Sequence, residues 1–209
     1  MKILTYNIRS WYRDLDRSKS THWRKRADAI RELIAKVDPD VILLQEAIWP
    51  MVNRLMPAGY VKATPGSISH HVFIKKGYAD VEDHAWHLRW CRARIRRPNA
   101  SRFEFCSVHT RWEEAIRKET ANDIKQLAGK GAAVIAGGDW NNPPTDMRPE
   151  LFPLSVLNTG RRTFKNWESG SREELDYFAL SHGGDATINL VIGGSFTYSD
   201  HLPVMLTVQ

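Results

Sequence analysis

Ala136-Gly137-Gly138-Asp139-Trp140-Asn141-Asn142-Pro143-Pro144 follows the apolar run from Ala132 to Ile135, so the chain passes within a few residues from aliphatics to a carboxylate and two carboxamides. Val134 and Ile135 suit a buried strand, the glycine pair permits a turn or a close approach to another group, and the two prolines stop the strand in what reads as a loop. Asp139 and Asn141 therefore fall at a sheet edge, two apart and able to point the same way. A carboxylate there can bind a hard cation, and a carboxamide can donate to a phosphate oxygen. An Asp after a strand is more often a turn residue or a helix cap. The rest of the chain decides between these readings.

Upstream, residues 113–127 carry Ile116, Thr120, Ile124 and Leu127 at helical spacing, and Gly129 and Gly131 end that helix. Residues 88–96 and 102–109 read as a hairpin in which Arg94 faces Glu104, Ile95 faces Phe103 and Ala93 faces Phe105, giving one apolar face and one with an ion pair. That register sets Cys91 opposite Ser107 and Cys106 opposite Arg92, thiols on opposite faces, which argues against a disulfide. At the amino end, a strand over 3–8 ends near Asn7, and a polar loop follows to Ser20. A helix over 22–37, capped by Ser20 or Thr21, stops at Asp38-Pro39-Asp40. Val41-Ile42-Leu43-Leu44 is a strand buried on both faces, with Gln45 and Glu46 at its exit. A short helix over 49–56 and strands near 60–63 and 72–75 precede the hairpin. Beyond the proline loop, strands are predicted over 154–157, 163–167, 175–180, 186–191 and 203–208.

The chain has 209 residues, enough to bury one substantial core, and a single domain over 1–209 is expected. Lys and Arg outnumber Asp and Glu by 30 to 24, a formal charge of +6 that favours a polyanionic partner. No apolar run is long enough to span a bilayer, and the first residues read as a strand without signal-peptide architecture. A cytoplasmic protein without membrane contact, acting as a monomer, is expected. Two cysteines suffice neither for a disulfide framework nor for the usual zinc sites.

Asn7, Glu46, His109 and Asp139 leave the carboxyl ends of their predicted strands, whereas Asp176 opens a strand and Asp200-His201 precede one. If the last two strands run opposite to the others, all these groups share one sheet edge. Such a cluster repels itself unless a cation sits in it, and oxygen donors favour Mg²⁺ or Mn²⁺ over zinc.

Leu4-Thr5-Tyr6-Asn7, Leu43-Leu44-Gln45-Glu46, Ser107-Val108-His109-Thr110, Gly138-Asp139-Trp140-Asn141, Leu175-Asp176-Tyr177 and Ser199-Asp200-His201-Leu202-Pro203 together resemble the ordered motifs of the endonuclease/exonuclease/phosphatase superfamily, the fold of deoxyribonuclease I and exonuclease III. The resemblance implies an α/β (α+β) fold, a four-layer α/β/β/α sandwich of two mixed β-sheets flanked by helices, and divalent-metal-dependent cleavage of phosphate esters. It implies Glu46 as the principal metal ligand with Asn7 and Asp200 beside it. Asp139 and Asn141 would orient the attacking water and hold the phosphate. His201, oriented by Asp176, would contact the scissile phosphate or take a proton, and His109 would be a second imidazole near it. In deoxyribonuclease I relatives the histidine equivalent to His109 has a glutamate partner, but residues 67–71 read Ser-Ile-Ser-His-His and supply no acid. The chain is also short for the superfamily, which disfavours damage recognition.

Arg9, Arg111 and Trp112, with Trp11 and Arg13, suggest substrate contacts beside a phosphate track. His70 and His71 read as an ordinary exposed or half-buried pair, and Arg92, Arg94, Arg96, Arg97 and Arg102 mostly as a solvated hairpin face. The expected function is a nuclease acting on DNA or RNA with weak sequence preference. The alternatives are a phosphatase or phosphodiesterase on small phosphoesters or lipid headgroups, and a non-catalytic nucleic-acid-binding relative.

Overall fold

The computed structural model describes residues 1–13, 15, 22–99, 101–130, 132–182, 186–191 and 194–209. In chain order the elements are β1 (Lys2–Asn7), α1 (Trp23–Val37), β2 (Val41–Gln45), α2 (Met51–Leu55), β3 (Tyr60–Lys62), β4 (His71–Lys75), β5 (Asp80–Trp86), β6 (Trp90–Arg96), β7 (Arg102–His109), α3 (Glu114–Ala128) and β8 (Ala133–Asp139). They continue as α4 (Pro144–Leu151), β9 (Ser155–Leu157), β10 (Phe164–Lys165), β11 (Arg172–Glu173), β12 (Asp176–Leu180), β13 (Ala186–Leu190) and β14 (Val204–Val208). One six-stranded sheet has the order β13-β14-β1-β2-β4-β3 and the other β5-β6-β7-β8-β12-β9. Each contains a single parallel pair, β1 with β2 and β7 with β8, so both sheets are mixed. The remaining pair, β10 with β11, is a separate small hairpin.

Ile3, Val41, Leu43, Val72 and Ile74 of the first sheet and Phe105, Ile135, Phe178 and Leu180 of the second form one buried cluster between the sheets. On the outer face of the first sheet, Leu4, Tyr6, Ile42 and Leu44 meet Ala27, Ile30 and Ile34 of α1 and the α2 residues Met51, Val52 and Leu55. On the outer face of the second, Val108, Val134 and Tyr177 meet Ala121 and Ile124 of α3 and Met147 and Leu151 of α4. These clusters make the four-layer α/β/β/α sandwich. No described helix is long and apolar enough to cross a membrane.

The hairpin has the expected register, with Arg94 opposite Glu104, and Cys91 and Cys106 are both free and buried, in clusters on opposite faces. The expectation of a solvated arginine face holds for Arg96 and Arg102, which are exposed, and needs correction for Arg92 and Arg94. Glu104 is fully buried, with Arg92 at 3.2 Å and Arg94 at 2.6 Å. Acids of β5 complete the lattice, Asp83 lying 2.8 Å from Arg92 and Glu82 3.0 Å from Arg102. Strand β5 was not foreseen because its residues are mostly polar and exposed, so alternation gave no signal. Nor was α4 foreseen: Pro144, read as loop, takes the first helical position, where its fixed φ suits a helix and its missing N–H costs nothing. Ser20 and Thr21, the expected caps of α1, and Gly131 lie outside the described residues.

The glycine pair serves close approach rather than a turn. A Cβ on Gly137 would stand 2.4 Å from the Phe178 ring, and one on Gly138 would stand 1.9 Å from the Val108 carbonyl oxygen. The second contact is with backbone, which cannot swing aside, and it lies one residue before the His109–Asp139 register pair. Gly138→Ala is therefore expected to cost about 3 kcal/mol, the upper range for overpacking, in a urea unfolding curve. Gly129→Ala, whose Cβ would meet nothing nearer than 3.7 Å, is the expected near-neutral control. Equal stability of the two variants would show that the approach of β7 to β8 is not tight.

Candidate active site

Strand polarity gathers the predicted residues as expected. β12 runs antiparallel to β8 with Asp176 directly opposite Asp139, while parallel β7 sets His109 beside Asp139 on the other side. β1 and β2 end together at Asn7 and Gln45. Among the described residues, four that are not glycine have left-handed backbone, and three of them, Arg9 (φ 54°), Glu46 (φ 54°) and Asn141 (φ 48°), lie one or two positions past a strand end here. Such backbone costs of order 1–3 kcal/mol per residue and persists where surrounding bonds fix it. The fixing bonds are visible. The buried Arg26 side chain donates to the carbonyls of Ile8 (2.7 Å), Arg9 (3.1 Å) and Tyr198 (2.8 Å). Asn141 Nδ2 donates to the Thr110 carbonyl at 2.9 Å.

Asp139 is the hub. Its Oδ2 accepts from Asn7 Nδ2 (3.0 Å) and Asn141 Nδ2 (3.3 Å), and its Oδ1 accepts from the Asn141 backbone N–H (2.9 Å). Two imidazoles also converge on Oδ2, His109 Nε2 and His201 Nε2 each at 3.5 Å. His109 Nε2 lies 4.0 Å from Glu46 Oε1 as well.

His201 Nδ1 meets Asp176 Oδ2 at 2.8 Å, and the two side chains are 5% and 0% exposed. Burial pushes the imidazole pKa down, but the charges of Asp176 and Asp139 and the Asp176 hydrogen bond outweigh it and raise the value to about 10. Burial also raises Asp176 against the opposing pull of His201, so the pair holds its proton more tightly than either group would in water. The β10–β11 hairpin frames this pair. Thr163 Oγ1 accepts the N–H groups of Leu175 and Asp176, each at 3.0 Å. The Phe164 ring lies 4.9 Å from the His201 ring. Ligand atoms of Asp139, Asp176 and His201 all fall within 4.8 Å of one another, as in a metal cage. A metal on Asp176 and His201 together would have to displace their hydrogen bond, so this trio is better suited to holding a proton.

Oxygen donors for a hard cation lie beside it. Glu46 Oε1 accepts from Asn7 Nδ2 (3.3 Å), and its Oε2 accepts the Ser10 N–H (3.0 Å) and hydroxyl (2.9 Å). Asn7 thus joins the Glu46 and Asp139 carboxylates through Nδ2, while its Oδ1, which accepts the Arg9 N–H at 3.0 Å, is the carboxamide oxygen beside them. The donor chemistry of Glu46, Asp139 and Asn7 fits Mg²⁺ or Mn²⁺. Asp200, at the same edge, is held differently: Arg9 Nη1 lies 2.5 Å from its Oδ2, and the Arg9 guanidinium stacks on Trp167 at 4.1 Å.

The rim residues behave otherwise. Arg111 and Trp112 are exposed, Trp112 by 76%, in the loop after β7, and neither side chain joins the cluster. Trp11 is half-buried against the core beneath the first sheet, and the Arg13 side chain lies outside the described residues. His70 and His71 correct the expectation of an exposed or half-buried pair, for both are buried. His71 Nε2 donates to the Ala47 carbonyl (2.8 Å) and His70 Nε2 to that of Leu88 (2.9 Å). Burial pushes both down to about 4, and the neighbouring His109 adds to the effect on His70. His70 packs edge-on to His109 at 5.6 Å, within the segment that lacks an acid. Ser10, Thr163, Phe164 and Trp167 were not anticipated. Ser10 follows Arg9 directly and was legible as a strand-exit neighbour, but the other three come from a hairpin with no sequence link to the site.

The endonuclease/exonuclease/phosphatase family model matches residues 4–201. No curated protein matches the chain by sequence. Among solved structures, a mannosyl-6-phosphatase from Bacteroides thetaiotaomicron VPI-5482 superposes with a TM-score of 0.78 at 18% identity, covering 99% of this chain and 98% of its own. Beta toxin from Staphylococcus aureus gives 0.77 at 18% identity with 100% coverage of both chains. TDP2 from D. rerio, in complex with a single-strand DNA product, gives 0.71 at 16% identity over 100% of this chain and 99% of that one. At these identities the likeness is one of fold. With the family motifs matched from the first strand to His201, the chain belongs to the endonuclease/exonuclease/phosphatase family, whose members hydrolyse phosphate esters.

Proposed function

We propose that the protein is a metal-dependent phosphodiesterase whose substrate is a polynucleotide, DNA or RNA, held mainly through its backbone. The observation that carries the reaction class is the convergence of His109 and His201 on one buried Asp139 oxygen, with Asp176 behind His201. Glu46 would be the principal ligand of Mg²⁺ or Mn²⁺, with Asn7 and Asp139 adjoining, and the ion when bound would polarise a phosphoryl oxygen and stabilise the leaving oxygen. His201 keeps its proton at Nε2 near neutral pH because Asp176 fixes the tautomer through Nδ1, and it donates to a phosphate oxygen. Asp139 accepts a hydrogen of the attacking water, and Asn141 fixes Asp139 and the local backbone. His109 is a second imidazole at the phosphate.

A polymer is favoured over a single small phosphoester by what flanks this edge. A cleft of about 390 Å³ is lined by Arg148, Arg162 and Arg172 together with Pro143 and Glu174. Pro143 follows Asn142 and Glu174 lies two residues before Asp176, so two of the segments that line the cleft lead into the site. Arg111 and Trp112, exposed on the loop after His109, provide a further cation and a stacking surface.

Plasmid, single-stranded DNA, RNA, a sugar phosphate, inositol phosphates and sphingomyelin, each incubated with Mg²⁺ or Mn²⁺, test the reading. Cleavage of a polynucleotide is expected, abolished by chelation and weakened steeply by salt. Glu46→Gln should lower turnover by at least about 100-fold, the upper end of what losing a group that supports a metal costs. Turnover in excess chelator, or hydrolysis confined to the small phosphoesters, would contradict it.

The His201–Asp176 pair generates a second expectation. His201→Ala and Asp176→Asn should each reduce kcat by roughly 10²–10⁴-fold, the range for a positioned acid or its orienting carboxylate. The double mutant should be scarcely worse than His201→Ala, because the two act as a unit. Additive losses, or an Asp176→Asn enzyme with unchanged kcat, would show that the 2.8 Å contact has no part in turnover.

A further inference from the structure

We infer that Arg9 is the resident counter-cation of Asp200, seated there by Trp167, so that Asp200 serves substrate positioning and is not a ligand of the metal. The inference rests on the metal reading given above and goes beyond it by giving another role to Asp200, which the family resemblance sets beside the metal.

Three observations fix Arg9 in this place. Its Nη1 meets Asp200 Oδ2 at 2.5 Å, with side chains only 17% and 10% exposed. Such a pair is charge-assisted and largely shielded from solvent, and breaking it leaves a charge in a poorly solvated position. The guanidinium face lies 4.1 Å from the Trp167 ring centroid, the geometry of a cation–π contact. Backbone bonds hold the residue in left-handed conformation: its N–H donates to Asn7 Oδ1 (3.0 Å), and its carbonyl accepts from Arg26 (3.1 Å). An extended Arg9 backbone would not be expected to keep the guanidinium on Asp200.

The Asp200 side is equally tied. Ser199 Oγ donates to the Asn7 carbonyl at 2.7 Å, and the Lys165 N–H donates to the Asp200 carbonyl at 2.8 Å. The strand carrying Lys165 also leads to Trp167, so one hairpin fixes both the Asp200 backbone and the aromatic ring that holds its cation. A divalent ion coordinated by Asp200 would face a guanidinium at contact distance, an arrangement that like-charge repulsion opposes. A phosphate oxygen on this side would instead be met by Arg9, whose planar fork suits an anion.

Mn²⁺ binding to the full chain, followed by electron paramagnetic resonance and titration calorimetry, separates the possibilities without an activity readout. Glu46→Gln should weaken Mn²⁺ binding at least about tenfold, while Asp200→Asn should stay within about twofold of wild type. Arg9→Gln and Trp167→Leu should each tighten binding or add a weaker second ion, because both release the Asp200 carboxylate. Arg9→Lys, which keeps the charge, should remain near wild type and guards against a folding defect at this position. Loss of Mn²⁺ in Asp200→Asn as severe as in Glu46→Gln would overturn this inference alone. No Mn²⁺ binding by the wild-type protein, or binding unchanged in Glu46→Gln, would overturn the metal reading and this inference with it.

Discussion

Two carboxylates, Asp139 and Asp176, face each other across an antiparallel strand pair, one 1% and the other 0% exposed. Like charges so placed are unfavourable in a sheet and more so when buried. Much of what surrounds them answers that conflict. His201 lies across both acids, with Nδ1 on Asp176 and Nε2 toward Asp139. Asn7 and Asn141 turn their amide donors to Asp139, and Thr163 holds the Asp176 backbone from behind. The arrangement costs folding energy that a uniformly apolar sheet end would not, which is what a site under functional constraint looks like. It leaves a proton fixed on an imidazole next to an acceptor oxygen.

The same constraint explains where the backbone is strained. Three strands deliver their last side chains to one place, and at Arg9, Glu46 and Asn141 the chain turns away through left-handed residues. None is glycine, because each side chain is used there: Arg9 on Asp200, Glu46 with Asn7 and Ser10, Asn141 on Asp139. Glycine appears instead in β8 itself, where Gly138 lets β7 approach closely enough to set His109 beside Asp139. Buried Arg26 shows how a helix contributes, reaching from α1 to carbonyls of two separate loops and holding the Arg9 turn to the segment before Asp200.

The sandwich and the convergence of Asn7, Glu46, His109, Asp139, Asp176 and His201 were legible because strand ends and polar residues coincide in the sequence, and because the hairpin register follows from alternation. What was not legible has physical reasons. β5 is exposed and polar, so its pairing is specified by ion pairs with neighbouring arginines rather than by apolar alternation. The burial of His71 follows from β4 pairing with β2, and that of His70 from its contacts with the Leu88 carbonyl and the His109 ring, neither of which a dipeptide of histidines can announce. Arg9 was read as a substrate contact from its place after β1, but its attachment to Asp200 and Trp167 joins residues 191 and 158 positions apart in the chain. Only the tertiary fold brings them together.

A crystal of the protein grown with Mn²⁺ tests most directly whether this edge is built around a bound cation. The anomalous difference map should show a peak against Glu46 with Asp139 and Asn7 adjoining, with the His201–Asp176 hydrogen bond intact. A peak seated on Asp176 and His201, or none within coordination distance of Glu46, would contradict that organisation.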